Sequence, residues 1–139
     1  MKNILLVVLV TIVAMETSYG QTYKVIVNNT NPISSIDKSE LSDYFMKKET
    51  KYLNGKRIVP VDQKGNSSVR KSFTSEVHNK SVTAVKSFWQ QAVFQGKDTP
   101  PVEKSSDGAV IADVANNPGA IGYVSMGTET SGVKTISIK

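Results

Sequence analysis

The chain has no cysteine and a single histidine, His78. Disulfide frameworks, thiolate zinc sites and thiol nucleophiles are thereby excluded, and histidine metal clusters and most His-based catalytic arrangements go with them. No apolar run is long enough for a bilayer span, which needs about 20 residues; the longest extends from Ile4 to Ala14, broken only by Thr11. Internal repeats and low-complexity tracts are also missing. Acidic residues are scarce: 12 Asp and Glu stand against 17 Lys and Arg, so the net charge is +5 over 139 residues. That length accommodates one domain.

Lys2 followed by the Ile4–Ala14 run reads as a secretory signal peptide, with an uncleaved N-terminal anchor as the alternative. Ser18 and Gly20 fall at the −3 and −1 positions for cleavage before Gln21, dividing the chain into a signal peptide, 1–20, and a domain, 21–139. Cleavage removes one basic residue, Lys2, and one acidic residue, Glu16, so the charge is unchanged. The expected location is periplasmic or secreted, with no membrane span after cleavage. Export carries the basic charge away from nucleic acid, and no strand interleaves aromatic with basic residues as RNA readers do. Small anions or an acidic envelope surface are the expected partners, although solubility alone also accounts for such a charge.

Tyr23 to Asn28 reads as a strand, ended by the turn-forming run Asn28-Asn29-Thr30-Asn31-Pro32. Asp37 and Glu40 have the spacing of a capping box, with Ile36 and Leu41 as its hydrophobic staple. Leu41, Tyr44 and Phe45 form one helical face. Ile58 to Val61 is a second strand, with Pro60 at an edge or a strand end. Val69, Phe73 and Val77 make the buried stripe of a helix beginning near Ser67. Ser81 caps another, with Val82, Val85, Trp89, Ala92 and Val93 in period. Ser106 or Asp107 starts a further helix carrying Val110, Ile111 and Val114. Ala120–Val124 and Val133–Ile138 are the remaining strands. Strands separated by helices predict an α/β fold, a mixed sheet flanked by helices.

The junction Val61 to Phe73 (VDQKGNSSVRKSF) is the most informative segment. The first N–H groups of a helix lack intrahelical partners and carry the positive end of its dipole, so they can hold an oxyanion. Ser67 and Ser68 would add hydroxyl donors; Arg70 could supply a bidentate contact and Lys64 further charge. The bland reading is that Ser67 or Asn66 caps the helix and nothing binds. Gly65 stands alone, so this is no P-loop, which needs a second glycine and a Lys-hydroxyl pair. Asp62 either braces the loop or accepts the hydrogen of a protonated phosphate. His78 is expected to face solvent or cap a helix end. Glycosylation sequons at Asn28, Asn66 and Asn79 are weak patterns.

The segments YKVIVNNTNPIS, IDKSELSDYF, NGKRIVPVDQKGNSSVRKSF, VKSFWQQAVFQG and VANNPGAIGYVS occur in an order that resembles the phosphate-binding, periplasmic-type solute-binding proteins of ABC uptake systems. The resemblance implies a single lobe of the type II periplasmic-binding-protein fold. It aligns Ser67 with the family's binding Ser, puts Ser68 and Val69 in place of its Gly and Thr, and sets Gln63 where its Arg stands. On that alignment the anion site comprises Asp62, Gln63, Asn66, Ser67, Ser68, Val69 and Arg70, the last compensating from the helix for the missing Arg. The opposing lobe's Gly- and Ser-rich loop has no counterpart. Inorganic phosphate or a related oxyanion is the implied ligand, an ABC transporter permease or another envelope protein the implied partner, and a homodimer one way to complete the cleft. No cofactor, metal or catalytic residue is expected. Two other classes stand beside this one: an envelope interaction protein using Lys47, Lys48, Lys51 and Lys56, and a hydrolase of phosphorylated compounds.

Overall fold

A computed structural model describes residues 21–139; the expected signal peptide, 1–20, lies outside the described residues. The elements run β1 (Tyr23–Asn28), β2 (Ser35–Ile36), α1 (Lys38–Phe45), β3 (Val59–Gln63), α2 (Ser68–His78), α3 (Val82–Phe94), β4 (Val102–Lys104), α4 (Asp107–Asn116), β5 (Ala120–Ser125) and β6 (Val133–Ile138). The strands form one six-stranded sheet in the order β2-β6-β1-β5-β3-β4. β1 is antiparallel to both β5 and β6, whereas β3 runs parallel to β5 and β4, and β2 parallel to β6. The expected mixed α/β architecture is therefore present.

Period-two alternation assigns residues to the two faces of the sheet. Tyr23, Val25 and Val27 of β1 join Ile121 and Tyr123 of β5 beneath α1 and α2, in a core containing Leu41, Phe45, Phe73 and Val77. Ile26, Val61, Ala120 and Val124 face the other way, onto Val110 and Val114 of α4. Gly122 lies under that helix: a Cβ there would come within 2.7 Å of a Val110 methyl, so the absent side chain lets α4 sit close to the sheet. On the first face Phe73 stacks on Tyr123, with ring centroids 3.8 Å apart and planes 6° from parallel. Phe45 and Tyr23 pack edge-on against the same Phe73 ring.

Several local expectations are corrected. β2 and β4 carried no strand pattern, being two and three residues long. The capping box before α1 does not form. Asp37 makes no side-chain cap bond, and Glu40 instead accepts from the Tyr44 hydroxyl one turn on, at 2.9 Å. Ile36 and Leu41 nevertheless both enter the core, as the staple requires. Pro60 lies in β3, an interior strand, but β4 pairs only from Val61 onward, so the missing Pro60 N–H breaks no ladder bond on that side. His78 is largely enclosed rather than solvent-facing or capping. Its ring packs on Phe73, Nδ1 lies 2.7 Å from Ser42 Oγ, and Asn79, in the left-handed region at φ 52, is the C-cap. Val93 is half exposed because α3 lies at the periphery and buries only Val85, Trp89 and Ala92.

Candidate functional site

The start of α2 is built as the junction sequence predicts. Ser67 is extended (φ −75, ψ 142), and its Oγ accepts the Arg70 N–H at 3.2 Å. The cap uses a lone pair, so the Ser67 hydroxyl proton is still available to a ligand. The N–H groups of Ser68 and Val69 donate to no acceptor among the described residues. They point out of the helix N-terminus as orphan donors. Beside them is a small cavity of about 160 Å³ lined by Thr22, Ser68, Val69, Ser72 and Ser125. Four of those five residues carry hydroxyls and none is charged. A shallow, donor-rich concavity at a positive dipole end is suited to a small oxyanion.

Asp62, Gln63 and Arg70 lie elsewhere. Arg70 is only 3% exposed, and its guanidinium is held on several sides. Nε lies 3.3 Å from Asp62 Oδ1 and donates to Thr74 Oγ1 at 3.1 Å; Nη1 donates to the Gln63 carbonyl at 2.7 Å and meets Glu103 at 3.3 Å. Asp62 also accepts from the Gln63 N–H at 3.0 Å and from the Tyr123 hydroxyl. Burial pushes the Asp62 carboxyl above its ordinary range against the opposing pull of Arg70, and burial with the Asp62 charge pushes the Tyr123 phenol up. This cluster braces the ends of β3 and β5 and ties them to α2.

Gln63 occupies the position where the resemblance sets an Arg. Its Nε2 donates to Asp107 Oδ1 at 2.8 Å and to the Tyr123 carbonyl at 3.0 Å. Asp107 in turn accepts from Thr128 Oγ1 at 2.6 Å and the Ser125 N–H at 3.2 Å. Burial raises the Asp107 pKa, but the hydrogen bonds from Thr128, Gln63 and Ser125 outweigh it, and the net shift is downward. Gln63 therefore fixes the β5 end, where Ser125 borders the small cavity. Asn66 is exposed and borders a different, larger cavity with Gly65.

The sequence-derived site thus divides into three places: Ser67, Ser68 and Val69 at the helix start, Asp62, Gln63 and Arg70 in the bracing network, and Asn66 on the outer surface. Thr22, Ser72 and Ser125 are the additions made by the fold. Ser72 had a signal, lying one turn beyond Ser68, but Thr22 and Ser125 reach the site only through the pairing of β1 with β5. Among the described residues no group of three or more His, Asp or Glu side chains is placed to hold a metal ion. No described helix is long and apolar enough to cross a membrane.

No protein-family model and no curated protein sequence matches the chain. Solved structures do. An ABC-type phosphate transport receptor from Vibrio cholerae superposes with a TM-score of 0.68 at 20% identity, over 84% of this chain and 46% of its own. A structure described as a phosphate ABC transporter substrate-binding protein with bound phosphate, from Clostridium perfringens, gives 0.67 at 19% identity, covering 84% and 44%. PstS from Borrelia burgdorferi gives 0.61 at 14% identity, covering 85% and 47%. The chain spans less than half the length of each. Its mixed sheet and flanking helices are thus the fold of one part of the phosphate-transport binding proteins.

Proposed function

We propose that this protein is an exported, non-enzymatic binding module, residues 21–139 after a signal peptide, that takes inorganic phosphate or a related oxyanion at the N-terminus of α2. The observation that carries this reading is the convergence of orphan N–H groups from Ser68 and Val69 with the hydroxyls of Ser68, Ser72, Thr22 and Ser125 around one small cavity. Its occurrence on a fold shared with phosphate-transport receptors supports it further. Ser67 contributes its free hydroxyl proton. Arg70, Asp62 and Gln63 serve by holding the turn and the β5 end in place, and Asn66 lies outside the site, beside the larger cavity.

No guanidinium enters the small cavity, and one charge-assisted hydrogen bond contributes about 1.5–3 kcal/mol. Affinity from this face alone is therefore expected to fall one to two decades short of a site that has such a contact. A permease of the ABC type, or a second copy of the chain closing over the anion, would supply the missing face. Periplasmic location accords with both.

The test is a thermal-shift and calorimetric titration with phosphate, sulfate and chloride. Phosphate-selective stabilisation that is lost in Ser68→Ala and in Ser125→Leu, but kept in Lys56→Gln, supports the site. Equal small shifts with every salt remove it and leave the envelope interaction reading, for which the exposed Lys48, Lys51 and Lys56 are the observation. Sedimentation with and without phosphate tests closure by a second copy, and turnover of a phosphoester would return the protein to the hydrolase class.

A further inference from the structure

Helix α3 touches the rest of the molecule through Val85, Trp89 and Ala92, which pack with Met46. Next to that seam it presents a second face that meets the Gly65 loop at Val82 and Lys86 and otherwise borders open cavities among the described residues. Val82, Lys86, Gln90 and Val93 follow one another at near-helical spacing along it, about 17 Å of helix, and they border two cavities in succession.

The cavity at the N-terminal half has a volume of about 730 Å³. Lys71, Lys80 and Lys86 line it with Ser75, Ser81 and Thr83, and no carboxylate is among its lining residues. None of the three lysines is ion-paired among the described residues. Lys86 Nζ lies over the Gly65 loop, 2.6 Å from where a Cβ on Gly65 would stand.

The cavity at the C-terminal half, about 490 Å³, is apolar on its walls, with Trp89, Val93, Phe94, Pro100 and Pro101. Phe94 is 92% exposed and Val93 50%, a large apolar surface to leave in water. Its floor is Arg70 held between Asp62 and Glu103, an acidic end that the uncharged hydrocarbon part of a ligand, not its anionic head, would meet. Lys86 borders both cavities and joins them. Both volumes fall in the range of small-molecule sites.

We infer that this face of α3 binds a single anionic amphiphile, its phosphate-like head among Lys71, Lys80 and Lys86 and its hydrocarbon chain against Trp89 and Phe94. Charge complementarity selects the head, because a bare hydrocarbon leaves three unpaired lysines unused and a free anion leaves Phe94 in water. The site is separate from the small cavity at the start of α2, and neither depends on the other.

Trp89 is the only tryptophan in the sequence and reports occupancy directly. The experiment follows its emission as the purified protein is titrated with dodecyl phosphate below its micelle concentration. Parallel titrations use inorganic phosphate, dodecyl maltoside and vesicles of anionic phospholipid. A saturable change in Trp89 emission with dodecyl phosphate is expected, through the hydrocarbon chain that contacts its exposed edge, with none from inorganic phosphate. Apparent affinity is expected to fall about tenfold or more in the Lys71→Gln, Lys86→Gln double variant and in Phe94→Ser. All three positions are exposed, so these variants keep the fold, and Ser68→Ala is expected to bind dodecyl phosphate unchanged. The proposal is overturned by the absence of a saturable change, by an equal response to dodecyl maltoside or inorganic phosphate, by indifference to the lysine replacements, or by a response to vesicles alone.

Discussion

Asp62 and Arg70 show how two charged residues can be structural while sitting in a segment that reads as a binding motif. Both are more than nine-tenths buried, and their pairing is supported by Tyr123, Thr74 and the Gln63 carbonyl. Removing one partner strands the other in a low-dielectric interior. Arg70→Ala is expected to lower unfolding free energy by about 3–5 kcal/mol in urea, and Asp62→Ala to do the same. The double variant Asp62→Leu, Arg70→Met should recover much of that loss. Additive losses in the double variant would show that the two charges do not act as a pair. Gly122→Val drives a side chain into Val110 and is expected to cost about 1–3 kcal/mol by overpacking, read by the same urea curves.

His78 adds a dependence on pH. Burial, then the nearby charges of Arg70, Lys80 and Lys48, lower its pKa from 6.5 to about 4. In the unfolded chain the ring protonates as pH falls through 6.5, while in the folded protein it stays neutral down to about 4. The unfolded state binds more protons across that window, so stability falls as pH drops through it and levels off below. The full shift corresponds to about 3 kcal/mol, most of it lost by pH 4.5. Urea denaturation at pH 7 and pH 4.5 should show this loss in the native protein, and His78→Gln should show a smaller one. An identical pH response in the variant would remove His78 as the cause.

At the scale of elements, the cap of α2 and its orphan donors can be separated experimentally. Ser67→Ala removes the Oγ that accepts from the Arg70 N–H and is expected to cost about 1 kcal/mol of stability. The Ser68 N–H survives that change, so phosphate binding should weaken less in Ser67→Ala than in a variant that blocks the cavity, such as Ser125→Leu. Calorimetry that finds the reverse order would place the ligand on Ser67 itself.

Helix starts, apolar stripes and the four longer strands were legible because each is written in residues close together in the chain. Ser67, Ser81 and Ser106 all cap as their positions predict. The failures share a physical cause. β2 and β4 are strands only because neighbours already in the sheet offer them hydrogen bonds. Glu40 turned to Tyr44 because a phenol one turn away competed with the backbone for the same carboxylate. Arg70 read as a free donor because its partners, Asp62, Thr74 and Glu103, converge on it from β3, α2 and β4. Likewise Ser125 joins the helix start only through the β1–β5 ladder. Local pattern carries element identity; it carries little about which polar groups are already satisfied.

For the molecule as a whole, the sheet's margins bear on assembly. Its outermost strands are β2 and β4, stubs of two and three residues, and β4 follows directly on Pro100-Pro101. Such stubs expose little unpaired backbone, and the prolines beside β4 have no N–H to offer. A second chain would find scarcely any template beside β4, whereas β2 covers only Ser137 and Ile138 of β6 and leaves Val133 to Ile136 without an outer partner among the described residues. Growth of the sheet from molecule to molecule, the usual first step toward fibrils, is therefore blocked at the β4 end and confined at the other to the short uncovered length of β6. A partner that closes over the α2 cavity, away from that edge, docks by side chains, and replacing Thr135 by Pro, which removes an N–H from β6, should leave its binding unchanged in calorimetry while lowering any strand gain seen by circular dichroism on concentrating the protein.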